Sequence, residues 1–407
     1  MPNRIYTRLL IIILLVLTVA SGYNYFKKPF IDLREKSASL LTISPTPSLL
    51  PAATSTQTQN QLDQLTDQEK VWQLLAVPLT LNENSLLSGD QATPSAQLEL
   101  ISQAKPGFVL LYGDQVDALS VKKVIEQIRQ SYPVDYPQPV IMVDHEGGSV
   151  QRLSGDGFTD LPSWRELCQL PQTERNSYLD QSAQELASVG VNLVLSPMVD
   201  VASKSAVLKD RACSGDPQVV IAAANDYIQV FAGRGLTTVL KHYPGIGSIT
   251  KDIHLQFDHL AILESDILPF DTILEKYPTL GVMTSHVGVN GKNETLPCSL
   301  STECLAGLVE TYPKALIFSD DLTMKSASYD DQTKSYSKPL DQVALEALIA
   351  GNQVLVFARG TEVAELQAVA EKLLATTTDA TESRTIVEKI NNSAKRVLDL
   401  KQQIFNQ

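Results

Sequence analysis

The stretch Lys241-His242-Tyr243-Pro244-Gly245-Ile246-Gly247-Ser248-Ile249-Thr250-Lys251-Asp252-Ile253-His254 gathers two histidines, two lysines and an aspartate behind the β-branched run Thr237-Thr238-Val239-Leu240. The whole chain has only 5 histidines, so the concentration is informative. Lysine and histidine at the end of a buried strand can grip a ligand from a rigid base. An Asp-x-His pair on the loop that follows is suited to proton transfer, because imidazole titrates near neutrality and a carboxylate can orient it. Glycine and proline mark the segment between as a loop. A strand end followed by such a loop is where a barrel enzyme keeps its chemistry.

The elements needed to position these groups are legible along the chain. Short apolar runs occur at Leu74–Leu79, Phe108–Tyr112, Val140–Asp144, Val191–Pro197, Thr238–His242, Gly281–His286, Ala315–Asp320 and Val354–Ala358. Stretches with apolar spacing near 3.6 lie between or after them, among them Val121–Gln130, Thr173–Ser188, Val219–Ala232, Leu340–Ala350 and Val363–Ala375. Runs apolar on both faces and separated by helices indicate a parallel sheet with covered faces. The pattern predicts an α/β fold, a single (β/α)8 TIM-type barrel. A doubly wound open sheet is the rival, and neither Gly-x-Gly-x-x-Gly nor a P-loop supports it. Several runs end in, or lead shortly into, polar groups: Asp144, Asp200, Lys241-His242, Ser285-His286 and Ser319-Asp320-Asp321.

A net charge of −13 argues against nucleic acid as a partner, since phosphate binding needs clustered lysine and arginine. The N-terminus is of another kind. Arg4 and Arg8 precede the run Leu9–Ala20, and apolar character resumes at Tyr23, Tyr25 and Phe26 before Lys27-Lys28. Residues 1–36 are expected to be a signal anchor that places the body outside the cytoplasm, or a signal peptide if Ala20-Ser21-Gly22 is cleaved. Residues 37–61, rich in Ser, Thr, Pro and Gln, read as a disordered linker. The barrel is expected over 62–400, with Thr66-x-x-Glu69 as a capping box near its start. Cys168, Cys213, Cys298 and Cys304 show no metal-ligand spacing. They allow three pairings, and both a short Cys298–Cys304 bridge and four buried thiols are open readings. No metal or other cofactor is expected.

Five ordered motifs carry a family resemblance. Val143-Asp144-His145-Glu146-Gly147-Gly148-Ser149-Val150-Gln151-Arg152, Asp210-Arg211, Lys241-His242-Tyr243-Pro244-Gly245, Asp252-x-His254 and Phe318-Ser319-Asp320-Asp321-Leu322 resemble glycoside hydrolase family 3, in its β-N-acetylglucosaminidase branch. The resemblance spans about residue 62 to 400. It implies an exo-acting retaining hydrolase that removes terminal β-linked N-acetylglucosamine from peptidoglycan- or chitin-derived oligosaccharides. Asp320 then matches the nucleophile, His254 the acid/base and Asp252 its orienting partner. Asp144, Arg152, Arg211, Lys241 and His242 match the sugar-binding positions. Retention needs a carboxylate on one face of the anomeric carbon and a proton donor on the other, which this set provides.

The chain departs from the family pattern at two places. Ile246 and Ser248 stand where the loop usually carries His and Asp, and Ala212-Cys213 replace the usual aromatic after the binding arginine. These departures keep two alternatives in view: a β-glucosidase or β-xylosidase of the same family, and a non-catalytic glycan-binding protein of the envelope. Asp252-x-His254 favours the N-acetylglucosaminidase branch over the first.

Overall fold

The apolar runs become parallel strands because each is covered on both sides, by helices outside and by one another inside. The computed structural model describes residues 55–81, 95–292, 294–377 and 383–405. The expected N-terminal anchor over 1–36 lies outside these residues, as does the linker up to residue 54. Among the described residues no helix is long and apolar enough to cross a membrane.

The barrel strands are Leu75–Thr80 (β1), Phe108–Tyr112 (β2), Val140–Val143 (β3), Leu193–Val194 (β4), Thr237–Tyr243 (β5), Gly281–Thr284 (β6), Leu316–Ser319 (β7) and Leu355–Val356 (β8). They pair in chain order, all parallel, with β1 also pairing β8. The parallel bridge Phe318–Val354 joins β7 to β8 and nearly closes the ring. Each strand coincides with one of the apolar runs, so the barrel expectation is met. The helices are Ser55–Gln64 (α1), Asp67–Gln73 (α2), Ala96–Ala104 (α3), Ala118–Gln130 (α4), Trp164–Gln169 (α5), Gln172–Val189 (α6), Pro217–Ala232 (α7), Glu264–Lys276 (α8), Thr302–Thr311 (α9), Leu340–Ala350 (α10), Val363–Ala375 (α11) and Ser383–Phe405 (α12). At the start of α2 the Thr66 side chain accepts from the Glu69 N–H, while Glu69 accepts from the Thr66 N–H.

One boundary differs from expectation. The linker was expected to run to residue 61, yet α1 begins at Ser55 and packs against α12. Its polar sequence carries Leu62, buried at 6% exposure, and Leu65 follows at 8%. Packing against a helix from the far end of the chain is a tertiary effect that composition does not display.

Inside the barrel, Ala76, Phe108, Leu110, Val140, Met142, Val239, Met283 and Phe318 form one apolar cluster with Val397, Leu400 and Ile404 of α12. Helix α12 therefore stoppers the end where strands begin and leaves their C-terminal ends as the open face. Its Arg396 donates to the Pro313 and Ala315 carbonyls just before β7.

The same helix buries Lys401, whose Nζ donates to Gln73 Oε1 at 2.6 Å and reaches the Pro137 carbonyl at 3.5 Å. Burial, reinforced by the Arg129 charge, holds this amine well below the ordinary lysine value. The unfolded chain keeps the proton up to about pH 10.4. Stability therefore rises with pH from the depressed value upward, because the unfolded state binds more protons there. Replacing Lys401 by Met removes that contribution. Urea melts over about pH 6–9 should show wild type gaining stability relative to Lys401→Met as pH rises; parallel profiles would mean that Lys401 stays charged in the folded protein.

Candidate active site

Every residue singled out by sequence emerges at or beyond a strand C-terminus on the open face. After β3 the chain makes a small antiparallel ladder, His145–Gly147 against Val150–Gln151, which turns Arg152 back so that its N–H donates to the Asp144 carbonyl at 3.0 Å. Asp144, Glu146 and Arg152 thus share one turn. Lys241, at 2% exposure on β5, reaches across to Asp144 Oδ1 at 2.7 Å and Glu146 Oε1 at 2.6 Å. Arg211 sits on a short turn, Lys209–Arg211, and grips the same Glu146 in fork geometry, Nε to Oε2 at 2.9 Å and a second N–H to Oε1 at 2.8 Å.

Glu146 is the shared counter-ion of two sugar-site candidates, and sequence reasoning passed over it. Burial alone would raise its carboxyl, but Arg211 and Lys241 outweigh that and hold it far below the usual carboxylate range. Burial likewise opposes the charge on Arg211 and Lys241, and their carboxylate partners keep both cations protonated. The signal available in sequence was the spacing Asp144-x-Glu146, which puts both acids on one side of a strand.

Asp144 pairs with Lys241 rather than with the Arg152 of its own turn. Arg152 makes no ion pair among the described residues, and its Nε is buried without a hydrogen-bond partner. A buried donor left open at a site mouth is suited to a ligand acceptor.

His242 is fixed by Asp200, which is fully buried. Asp200 Oδ2 lies 2.7 Å from His242 Nδ1, and its other oxygen accepts from the Ile246 N–H at 2.7 Å. One carboxylate therefore sets both the imidazole and the start of the loop. Ile246 itself is buried at 2%, with Ile249 and Ile253 beside it in the interior. A Cβ at Gly247 would lie 1.9 Å from the Val201 carbonyl oxygen, so the loop passes too close to its neighbour for a side chain there. Farther along, Asp258 accepts from the Thr250 and Lys251 N–H groups at 2.9 and 3.0 Å. The loop is thus anchored although the family's His and Asp are absent.

At the loop's end His254 Nδ1 lies 2.7 Å from Asp252 Oδ1, and the His254 N–H donates to the same oxygen at 3.0 Å. With Nδ1 donating to a carboxylate, Nε2 remains for a substrate. The imidazole is well exposed.

Asp320 follows β7 directly. The Asp321 N–H donates to its Oδ1 at 2.8 Å, which leaves Oδ2 open. Burial pushes its carboxyl up, but the imidazoles of His242, His286 and His254 and that N–H together hold it below the ordinary value. Asp321 behaves oppositely: burial and the adjacent Asp320 charge raise it, and its Oδ1 accepts from the Thr323 and Ala358 N–H groups at 2.9 and 3.0 Å. Two neighbouring carboxyls are pushed apart, Asp320 downward and Asp321 upward. Fully buried His286 supports this turn, its Nε2 donating to the Asp321 carbonyl at 2.9 Å while Nδ1 meets Ser299 Oγ at 2.6 Å. His145 stands apart: it bonds Ser182 Oγ, and burial pushes it down to about 4.

Both disulfides brace this surround. Cys168–Cys213 ties α5 to the segment just past Arg211, and Cys298–Cys304 closes the turn holding Ser299. The short bridge anticipated as one reading is present, and the four-thiol reading is not. Among the described residues no group of three or more His, Cys, Asp or Glu is arranged to hold a metal.

Known proteins resemble this chain in sequence and in fold. The glycosyl hydrolase family 3 N-terminal domain matches residues 66–400. A β-hexosaminidase of Thioalkalivibrio sulfidiphilus is 31% identical over 267 residues, covering 61% of this chain and 75% of that protein. The crystal structure of β-N-acetylhexosaminidase from Beutenbergia cavernae superposes with a TM-score of 0.71 at 22% identity, covering 83% of this chain and 98% of that one. A family 3 β-N-acetylglucosaminidase from Paenibacillus gives 0.70 at 22% identity, over 84% of this chain and 63% of that one. The barrel is that of a glycoside hydrolase. The chain belongs to glycoside hydrolase family 3.

The buried network makes a specific demand. Glu146→Gln keeps the shape but leaves Lys241 and Arg211 to share one fewer negative charge, and breaking a buried pair costs about 3 kcal/mol or more. Denaturant unfolding should show a loss of that order with the barrel's circular dichroism intact. A loss below about 0.5 kcal/mol would mean that Glu146 contributes no more than an exposed ion pair.

Proposed function

We propose that the protein is an exo-acting, retaining β-N-acetylglucosaminidase acting on peptidoglycan- or chitin-derived oligosaccharides. The observation that carries this reading is the pairing of an ionised carboxylate, Asp320, with an exposed Asp252–His254 couple on the neighbouring loop. The names of the relatives, β-hexosaminidase and β-N-acetylglucosaminidase, point the same way.

The geometry supports two steps. Asp320 Oδ2 attacks the anomeric carbon while the glycosidic C–O bond breaks, and His254 Nε2 passes its proton to the departing oxygen. The sugar is then held as an ester on Asp320. Water next attacks the same carbon, gives its proton to His254 Nε2, and the Asp320–sugar bond breaks with its electrons returning to the carboxylate. Asp252 stabilises the imidazolium in each half and fixes the tautomer. Asp144, Lys241, Arg152, Arg211 and His242 are assigned to the sugar's hydroxyl and acetamido groups. Asp144 accepts, the buried Arg152 Nε has no protein partner, and the His242 ring, held by Asp200 at Nδ1, keeps Nε2 for a ligand.

The loop stays anchored despite the departure at Ile246 that kept a binding-only protein in view. Ile246 is an apolar anchor, and Asp258 and Asp200 hold the loop. Turnover decides the matter. Purified protein should hydrolyse chromogenic N-acetyl-β-glucosaminide far better than β-glucoside, and Asp320→Ala should reduce the rate by about 10⁴-fold or more. With His254→Ala and an activated aryl substrate, mass spectrometry should find an N-acetylhexosaminyl group on the Asp320 peptide. No turnover by wild type, or an adduct elsewhere, overturns the assignment.

The body is further proposed to be membrane-anchored and extracytoplasmic, with residues 1–36 as the anchor and the Ser/Thr/Pro-rich segment that follows as a spacer. Two disulfides favour an oxidising compartment, and an apolar run flanked by arginines and lysines has the length of a signal anchor. Full-length protein should sediment with membranes and be degraded by protease added to spheroplasts, while a chain lacking residues 1–36 should stay soluble. Protection from external protease would refute export.

A further inference from the structure

The loop that bears the acid/base candidate is tied to the loop that follows the nucleophile candidate. After Asp320 the chain runs through Lys325 into a hairpin, Tyr329–Asp330 paired antiparallel with Ser335–Tyr336. This hairpin lies under the His254 loop. The Lys325 N–H donates to the His254 carbonyl at 3.2 Å, and the Phe257 N–H donates to Tyr336 Oη at 3.0 Å. The Phe257 ring, buried at 5%, stacks on Tyr329 with centroids 4.5 Å apart and planes at 23°, and meets His259 edge-on at 4.6 Å. Tyr336 closes the group, 5.5 Å from Tyr329 and with the Lys325 ammonium 5.9 Å over its ring. Beyond Phe257, the Gly288 N–H donates to the Asp258 carbonyl at 2.8 Å, and His259–Leu260 pairs with Gly288–Val289.

Each contact has a consequence for His254. An exposed imidazole on a glycine-containing loop would lose several kinds of freedom on reaching a substrate, and that ordering opposes the reaction. Here the carbonyl of His254 and the amide three residues on are both already taken by the segment that carries Asp320. The separation between proton donor and nucleophile is thereby set by a direct tie between two loops rather than through two strands and the barrel wall.

We propose that the Tyr329–Tyr336 hairpin is a positioning element for His254, with the Tyr336 hydroxyl and the Phe257–Tyr329 stack as its latch. This rests on His254 being the acid/base of the reading above. The hairpin acts through the loop, and among the described residues its hydrogen bonds and ring contacts go to the loop and to itself rather than to the sugar-gripping candidates, so its loss affects proton transfer and spares binding. Nucleophilic attack by Asp320 needs the proton only when the leaving group is poor. An activated phenolate departs without it.

Tyr336→Phe removes the acceptor for the Phe257 amide and keeps the ring; Phe257→Leu removes the stack. For both, kcat/KM on a methyl or 4-methylphenyl N-acetyl-β-glucosaminide should fall by about tenfold or more, while kcat/KM on the 2,4-dinitrophenyl glycoside stays within about twofold. Inhibition by N-acetylglucosamine should be unchanged. Equal losses on both aryl substrates, or weaker product inhibition, would make the hairpin a general structural support and overturn the proposal. So would unaltered rates on the poor leaving group in both variants. Failure of wild type to cleave either glycoside refutes the underlying enzyme assignment instead.

Discussion

One carboxylate, Glu146, organises the side of the site that the proposed function assigns to the sugar. Two cations from distant parts of the chain, Lys241 and Arg211, converge on it in a region that water scarcely reaches. Each cation would pay heavily for burial alone, and in low dielectric the attraction between opposite charges recovers much of that only when geometry is good. The geometry here is good: a forked guanidinium contact on one side and a short ammonium contact on the other. Asp144 then completes a line of alternating charge and leaves its second carboxylate oxygen for a ligand. A neutral sugar needs such a device, because its hydroxyls are recognised by hydrogen bonds whose partners must be oriented before it arrives. Alternating fixed charges orient them without leaving a net field.

The proton-handling side follows a different logic. Its histidine is exposed and on a loop, so its order has to come from loop contacts rather than from a buried ionic core. Asp200 fixes the first turn through His242 and Ile246, the three isoleucines bury the middle, and Asp258 caps the end. The substitution of Ile246 for a polar residue exchanges a directional hydrogen bond for hydrophobic burial, worth about 1.5–3 kcal/mol for a fully buried isoleucine. Burial of that kind is non-directional. It holds the loop down without fixing the rotation of what comes after, which leaves Asp252–His254 in need of the separate contacts made at His254, Phe257 and Asp258.

The barrel was legible because its signal is redundant. Each strand from Leu75–Thr80 to Leu355–Val356 is apolar along its length, and a misreading of one would not have hidden the others. Asp320 and Lys241 stood out as ionisable types at the ends of apolar runs, and His254 as half of an Asp-x-His pair on the loop beyond one of them. Glu146 was hidden by its own success, since a glutamate inside a motif looks like any polar turn until two cations from elsewhere are seen to meet on it. The start of α1 was hidden because Ser55–Gln64 owes its helix to α12, more than 300 residues away in sequence. The Cys168–Cys213 pairing depends on where α5 lies relative to the Arg211 turn, which no spacing encodes. What sequence withheld in every case was a contact between segments whose approach is set by the closed ring.

That closed ring also explains why the two halves can differ in character. Strand ends in a barrel are held at fixed separations, so Asp320 and Lys241 need only their own rotamers settled to be in place. Loop residues gain nothing from the ring beyond their points of departure. The chain meets this by letting loops brace each other: the segment after β7 supports the one after β5, the Ser299 turn supports His286 and through it the Asp320–Asp321 peptide, and a disulfide secures the Arg211 segment. Under the proposed function, rigid groups grip the part of the substrate that does not change, and braced loops serve the bond that breaks. Such a division suits an exo-acting enzyme, in which one sugar is bound the same way each time while the leaving group varies.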